Sequence, residues 1–466
     1  MTLSLKSLKA KPTFFIATIL FAIIIAVLPN TAQSEQFSHH AAVILITLVG
    51  WSTGVLPPFL IALGFFAMVS ILDLMPTSLL FSGFGSTAVW LIISGFVIGS
   101  AISSSGLGKK LASVIAPHIT ASYSALIFGL IFIASALGFI MPSSVGRAVV
   151  LVPIAMALAD KVGFKGGSNG RLGIATSLAI ACNMPSFAVL PANIPNMIFA
   201  GASETIYSVQ FSYLEYLVLH FPVLGILKML LLGALVLRMF PDQINLQPET
   251  PSSVEEQTHH ISQQIKTTLL LSITLLLWIT DSLHGINPAW VGLATAVILL
   301  LPKIGVVETK SFNSSVDFGT LVFVSAALGL GALVNYSGLG SAAASLLSHV
   351  LIGPGHDFIN FMLLSITSTL AGLIATTPGA PTVLTPMAAD FAQATGLSLN
   401  AVLMTQVIGF STVIFPYQVA PLIIAMQLSK EPLNQLMRVT LRLALITLVV
   451  LMPLDYLWWQ LLGMFA

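Results

Sequence analysis

The chain is poor in charge. Of its 466 residues only 7% are Asp, Glu, Lys or Arg, while 56% are hydrophobic, and the mean hydropathy is +1.00. A soluble domain carries about 25% charged residues, so a water-facing surface for a chain of this length is excluded. The formal net charge of +1 offers no basic field to a nucleic acid. One cysteine, Cys182, lies inside an apolar run, which excludes a disulfide scaffold and a cysteine metal cluster. There is no Walker-type phosphate loop and no large polar domain, so ATP-driven transport within this chain is excluded too.

Long apolar runs are what the sequence does have. A spanning helix takes about 20 apolar residues. On that scale the sequence predicts an all-α polytopic membrane protein of about eleven transmembrane helices, near 13–28, 40–55, 58–74, 86–104, 172–200, 212–239, 267–282, 287–302, 318–336, 400–427 and 441–462. The first follows Lys6, Lys9 and Lys11 and lacks a small-residue cleavage site, so it reads as an uncleaved helix. Two further runs, about 121–160 and 357–392, are too long for one helix and are interrupted midway by Pro, Gly, Ser or Thr. Irregular backbone at membrane depth is tolerated only inside protein or along a polar cavity, so both read as re-entrant helical hairpins. Trp90, Trp458 and Trp459 fall near span ends and read as interfacial anchors.

Charge placement orients this layout. With the N-terminus inside, the inner segments carry Lys6, Lys9, Lys11, Lys109, Lys110, Lys161, Lys165, Arg171, Arg238, Lys266, Lys303, Lys310, Lys430, Arg438 and Arg442, and the outer ones carry no Lys or Arg. Only Arg147 and Lys228 remain, both inside apolar stretches. The positive-inside rule then gives a bacterial inner-membrane protein with a cytoplasmic N-terminus and an external C-terminus. A cysteine placed at Ser34 should therefore react with an impermeant reagent added outside, and one at Ser252 should not. The reverse labelling pattern would overturn this orientation.

A polar stretch, Pro241 to Gln264, divides the chain into two halves, 1–240 and 266–466, joined by a cytoplasmic linker at 241–265. His259 and His260 sit in it as solvated loop residues. The halves resemble each other. Ser105-Gly-Leu-Gly108 and Ser337-Gly-Leu-Gly340 each close an apolar helix. Ser143-Ser144-Val-Gly146 and Thr376-Thr377-Pro-Gly379 each precede a run ending in proline, at Pro153 and Pro386. Val189-Leu-Pro191-Ala-Asn193 parallels Ile414-Phe-Pro416-Tyr-Gln418. The topology gives the two halves opposite orientations, so they read as inverted repeats, each with a hairpin and a broken helix at 172–200 or 400–427. That arrangement belongs to secondary transporters, whose substrate site lies at the repeat interface.

The hairpin tips supply the expected chemistry. Ser143, Ser144, Thr376 and Thr377 offer hydroxyls, and Gly146 and Gly379 together with Pro142 free local backbone groups. Half-helix N-termini there favour an anion. Arg147 lies at bilayer depth, where a charge costs at least about 2.5–3.5 kcal/mol. It needs a distant acid, a bound oxyanion or the hairpin carbonyls as partner. A guanidinium matches a carboxylate or sulfate in two-pronged fashion, so Ser143, Ser144, Gly146, Arg147, Thr376, Thr377 and Gly379 are the candidate substrate groups. Asn193, Asn196 and Gln418, at the second pair of breaks, are candidates for a coupling cation. No metal site and no cofactor is expected.

With these motifs in place, the chain resembles the divalent anion/sodium symporter family, the dicarboxylate, citrate and sulfate carriers, over nearly its whole length. The resemblance rests on Trp90 to Leu111, both hairpins with their trailing prolines, and the Pro191 and Pro416 segments. That family carries Ser-Asn-Thr at each tip; here the same places hold Ser143-Ser144-Val145 and Thr376-Thr377-Pro378. The hydroxyl character survives, but both asparagines and both closing threonines are lost. The resemblance implies a homodimeric elevator-type carrier of a small anionic substrate in the lipid bilayer. The departure leaves the anion and the coupling ion, Na+ or H+, open. Two other classes fit less well. A sodium/proton antiporter or arsenite-type permease needs a buried acid, and no Asp or Glu sits centrally in the hairpins or breaks. A membrane enzyme needs a carboxylate or histidine cluster at one face, and His220, Asp281 and His284 are scattered.

Overall fold

The computed structural model describes residues 5–27, 36–107, 110, 119–141, 143–244 and 261–465. Pro142, Gly108, Ser34, Ser252 and the linker residues His259 and His260 lie outside them. Among the described residues there is no strand. The helices introduced here are α1 (Leu5–Val27), α2 (Phe37–Thr53), α3 (Pro58–Ile71), α4 (Thr87–Ser105), α5 (Tyr123–Ile140), α6 (Ser144–Lys161), α7 (Asn169–Ala181), α8 (Ile194–Tyr207) and α9 (Tyr213–Met239). After the linker come α10 (Ile261–Ile279), α11 (Pro288–Leu300), α12 (Phe318–Tyr336), α13 (Leu339–Ser348), α14 (Asp357–Leu384), α15 (Ala388–Thr395), α16 (Leu399–Phe410), α17 (Ala420–Ser429) and α18 (Leu433–Leu461).

Six helices among the described residues are both long and apolar enough to cross a bilayer: α4, α5, α9, α12, the Asp357–Thr395 stretch and α18. The other expected spans are covered by shorter, broken or more polar helices. Two expected boundaries move. The last span begins at Leu433, well before 441, and the span placed at 267–282 begins at Ile261, inside the expected linker. Rows of exposed apolar side chains, such as Phe14, Leu20, Phe21 and Ile24 on α1 and Leu269, Ile273 and Leu276 on α10, suit a lipid surface.

The matched short motifs of the two halves take similar local conformations. Gly106 and Gly338 take left-handed φ of 70° and 73°, a conformation open to glycine after a helix end. Ser105 Oγ donates to Ile102 O at 3.2 Å and accepts from Leu107 N; Ser337 Oγ donates to Val334 O at 3.2 Å and accepts from Leu339 N. Trp51 Nε1 donates to Pro58 O in the first turn of α3, and Trp278 Nε1 to Pro288 O in the first turn of α11. Ser168 and Ser398 cap α7 and α16 through the backbone N–H of Arg171 and Ala401.

Two large apolar cores form. The first joins the hairpins, broken helices and last long helices of both halves, with Leu126, Leu151, Leu178, Leu403, Leu422 and Leu436 in it. The second joins α2, α3, α4, α11 and α12 with α8 and the break before it, and holds Phe65, Phe66, Ile92, Met197, Val291 and Leu328. Across the halves, α6 packs on α17 and α8 packs on α14. Arg171 bonds Asp160 and reaches Glu431 Oε1 at 3.1 Å, while Tyr207 Oη donates to Pro386 O at 3.0 Å.

The two longest unbroken helices each contain a π segment, Phe221–Leu227 in α9 and Thr447–Leu451 in α18. Pro222 has no N–H to give Val218 O. That carbonyl instead accepts from Trp458 Nε1 at 2.9 Å, which ties α18 to α9. Trp458 thus does structural duty, and Trp459 is wholly buried beside Phe361 and His220. Trp459, being wholly buried, is not the interfacial anchor its position suggested, while Trp90 remains exposed.

Candidate functional site

Each hairpin breaks where its hydroxyl pair lies. Helix α5 ends at Ile140 and α6 starts at Ser144, capped by Ser143, whose Oγ accepts from Gly146 N at 3.0 Å. In the second hairpin the break is one residue wide. Thr376 has φ 66° and ψ 167° within α14, and Thr377 opens the next helical stretch. That backbone region is essentially reserved for glycine and costs about 1–3 kcal/mol in other residues. Two half-helix N-termini therefore stand at the tips, each fronted by hydroxyls.

Two further helical runs are interrupted. Between α7 and α8 the chain runs through short 3-10 turns from Pro185 to Ala192; between α16 and α17 it is irregular from Ser411 to Val419, apart from one 3-10 turn at Pro416–Gln418. Each tip is tied to the break of its own half. Arg147 spans from α6 to the first break, and Thr377 Oγ1 donates to Gln418 O at 3.4 Å in the second. The two breaks meet through Phe187, Phe199 and Phe410, with ring centres 5.8 and 6.1 Å from that of Phe410. No hydrogen bond among the described residues joins Ser143 or Ser144 to Thr376 or Thr377.

Arg147 is fully buried. Its Nε and Nη2 donate to Cys182 O at 3.0 and 2.8 Å, Nη1 donates to Met141 O, and Nη1 and Nη2 both reach Ala192 O at 3.4 Å. Nη2 also donates to Ser144 Oγ at 2.9 Å. Every guanidinium nitrogen thus has a protein acceptor. Of the partners open to it from sequence, backbone carbonyls are the ones it has; it closes the first break and does not project into a space between the tips.

The expected cation groups are engaged unevenly. Asn193 Oδ1 caps α8 by accepting from Asn196 N, and Gln418 Oε1 accepts from both Ile414 N and Phe415 N at 2.8 Å. Asn196 Nδ2 donates to Phe187 O and Val189 O at 3.0 Å and to Ser186 O at 3.4 Å. What these amides leave over is mostly donors. Asn183 Nδ2, Asn193 Nδ2 and Gln418 Nε2 are buried without a partner, and only Asn196 Oδ1 is an unpartnered acceptor. Buried polar groups of this kind are rare and call for an explanation.

Sequence reading missed three residues. Asn183 follows Cys182 at the end of an apolar run, and an amide there was the available signal. Lys228 is buried on α9, just after the π segment, and its Nζ donates to Ser411 O at 3.1 Å. The acid absent from hairpins and breaks exists on the last helix, where Asp455 is wholly buried.

A family model described as the sodium:sulfate symporter transmembrane region matches residues 9–465. The chain belongs to that family, whose members are membrane transporters and not enzymes. A protein of Cupriavidus necator named only as a membrane protein is 26% identical over 71% of this chain and 66% of its own length. Dicarboxylate transporter 1 of the spinach chloroplast is 24% identical over 70% of this chain and 58% of its own length. The chain thus matches less than two thirds of either relative. The crystal structure of the YdaH transporter of Alcanivorax borkumensis aligns with 97% of this chain and 98% of its own at TM-score 0.52 and 16% identity, a likeness of fold.

Proposed function

We propose that the protein is a secondary active transporter of a small divalent oxyanion, a dicarboxylate or sulfate, working by an elevator-type alternation between inverted repeats. The observation that carries this reading is the surplus of buried donors at the breaks. Asn183, Asn193 and Gln418 each hold an unpartnered amide nitrogen, beside two half-helix N-termini, and among the described residues no carboxylate hydrogen-bonds to the tips or breaks. Such a site is short of negative charge and has the N–H and O–H groups to receive it. Ser143, Ser144, Thr376 and Thr377, with the backbone at Gly146 and Gly379, are the proposed ligands, Thr377 exchanging its long 3.4 Å bond to Gln418 O for the anion. Ser144 Oγ accepts from Arg147, which leaves its hydrogen for the anion. The spinach relative, a dicarboxylate transporter by name, favours this substrate class.

The elevator reading follows the family, with α8, which gives Phe199 to the first core and Met197 and Ile198 to the second, at the boundary between the moving and the fixed parts. A homodimer in the bacterial inner membrane, N-terminus inside, completes the proposal. The test is uptake into liposomes holding the purified protein, offered succinate, malate, citrate and sulfate. Saturable uptake of at least one is expected; none above protein-free liposomes would overturn the reading. Ser144→Ala and Thr377→Ala should each weaken substrate affinity about tenfold or more, the worth of a hydrogen bond to a charged ligand, with normal folded yield. Unchanged affinity in both would remove the tips from the site.

A further inference from the structure

We propose that Asp455 is a proton-binding site, and that the carrier moves its anion together with one proton taken up there. The proposal rests on the transporter reading above and adds its driving ion. The site lies on elements that belong to neither a tip nor a break, where the two π segments pack against each other. His220 stands just before Phe221–Leu227 in α9 and Lys228 just after it, while Asp455 comes one turn after Thr447–Leu451 in α18. Interruptions of this kind are frequent at functional sites.

The two helices run antiparallel. Trp458 bonds Val218 O toward one end, and Arg442 Nη1 lies 3.4 Å from Met239 Sδ toward the other. Asp455 therefore stands level with the stretch between His220 and Lys228. Side chains lean toward the N-terminus of their own helix, so in this pair Asp455 and Lys228 lean toward each other's level. Among the described residues no ion pair joins them.

What this cluster lacks is hydrogen. Asp455 has no exposed surface, and neither Oδ1 nor Oδ2 has a donor. His220 Nδ1 has no partner, and Trp459 Nε1, one turn beyond Asp455, has none either. A buried carboxylate without hydrogen bonds is very costly, and a proton removes that cost by making it neutral. Few other titratable groups surround it. On α9, Tyr216 and His220 stack in turn on Trp459, and Lys228 follows. The packed helix α14 carries only Asp357, at its first residue, α16 carries none, and Tyr456 is the neighbour on α18. Tyr216 Oη and Lys228 Nζ already donate to Phe187 O and Ser411 O, and His220 Nε2 meets Met404 Sδ at 3.4 Å. A hard metal ion needs several oxygens at once, whereas this cluster offers one carboxylate among indole, imidazole and thioether groups. A proton needs a single acceptor.

The link to the anion is electrostatic. Ionised Asp455 offsets the Lys228 ammonium, which is bonded to Ser411 O at the second break. Protonated Asp455 leaves that charge uncompensated, so the anion binds better once the proton is on, and by reciprocity the proton binds better with the anion present. The proton comes from water on the side the anion enters, resides as O–H on the carboxyl, and returns to water on the other side.

The test uses the full chain in sodium-free liposomes with the voltage clamped at zero, and labelled succinate and sulfate as probes. Sulfate stays doubly ionised, so it brings no proton of its own. With the outside more acid by about one pH unit, one proton per anion should drive accumulation about tenfold above the level at equal pH. Asp455→Asn should fill to the same level with and without the gradient, whatever its rate, and Asp455→Glu should keep the response. Wild-type accumulation that ignores the gradient overturns the proposal, as does a folded Asp455→Asn variant that still follows it. Infrared spectra in detergent give a reading independent of transport. The wild type should show a carboxylic acid band at the frequency of an unbonded group, growing as the pH falls and absent from Asp455→Asn. A band that is missing or constant at every pH overturns the proposal. If neither probe is transported while the band titrates, the anion assignment fails and the proton site stands.

Discussion

Arg147→Met should leave the protein poorly folded, with the largest loss of stability of any single substitution in the hairpins. The side chain it replaces has no exposed surface and satisfies Cys182 O, Met141 O and Ala192 O together with Ser144 Oγ. Hydrogen bonds from a charged group are worth about 1.5–3 kcal/mol each, and stranding their buried acceptors removes the gain while keeping the desolvation cost. A loss of about 3–5 kcal/mol follows, the size seen when one partner of a buried charged contact is deleted. Arg147→Lys keeps the charge but not the planar fork that spans two chain segments, so its melting temperature should fall between those of Arg147→Met and wild type. Fluorescence-detected gel filtration after a heating series would measure this. A methionine variant as heat-resistant as the wild type would show that the first break holds without the guanidinium.

Thr376→Gly should push stability and transport in opposite directions. Glycine takes φ 66° and ψ 167° freely, so the substitution releases about 1–3 kcal/mol of backbone strain, against which the added freedom of the unfolded chain costs about 0.5–1 kcal/mol. The variant should therefore melt higher than the wild type. It should also lose anion affinity, because the hydroxyl held at the second tip is gone. Strain retained at a tip has a functional reason only if both effects are seen. A higher melting point with unchanged transport would leave Thr376 as strain without a role in binding, and a lower melting point would refute the strain argument.

What could be read from sequence was what depends on neighbours along the chain. Ser105-Gly-Leu and Ser337-Gly-Leu fold alike because serine back-bonds to the carbonyl three residues earlier and glycine enters the left-handed turn without strain. The hairpin tips were visible because a break needs Pro, Gly or hydroxyl residues wherever it falls. Arg147 was visible as a charge in an apolar run, but its direction was not. Its chief acceptor, Cys182 O, lies 35 residues away in sequence, and a carbonyl has no side-chain signal. Lys228 was visible in the same way, and its partner was hidden for the same reason, since Ser411 is 183 residues away. The amides of Asn193, Asn196 and Gln418 were found, but which end of each faces a partner follows from backbone at the breaks that has no regular period.

The π segment in α9 also sets what insertions and deletions this chain can bear. One residue turns an α-helix by about 100°, and a π bulge is in effect one residue too many. Lys228 follows Phe221–Leu227 directly, so its bearing toward Ser411 depends on that surplus residue. Shortening the segment by a single residue would straighten the helix and swing the ammonium around by roughly a quarter turn, with no change in side-chain composition near the site. In a lineage of such carriers, a one-codon gap in this helix would therefore undo the contact to Ser411 as surely as replacing the lysine, and residue identity at aligned positions would not reveal it.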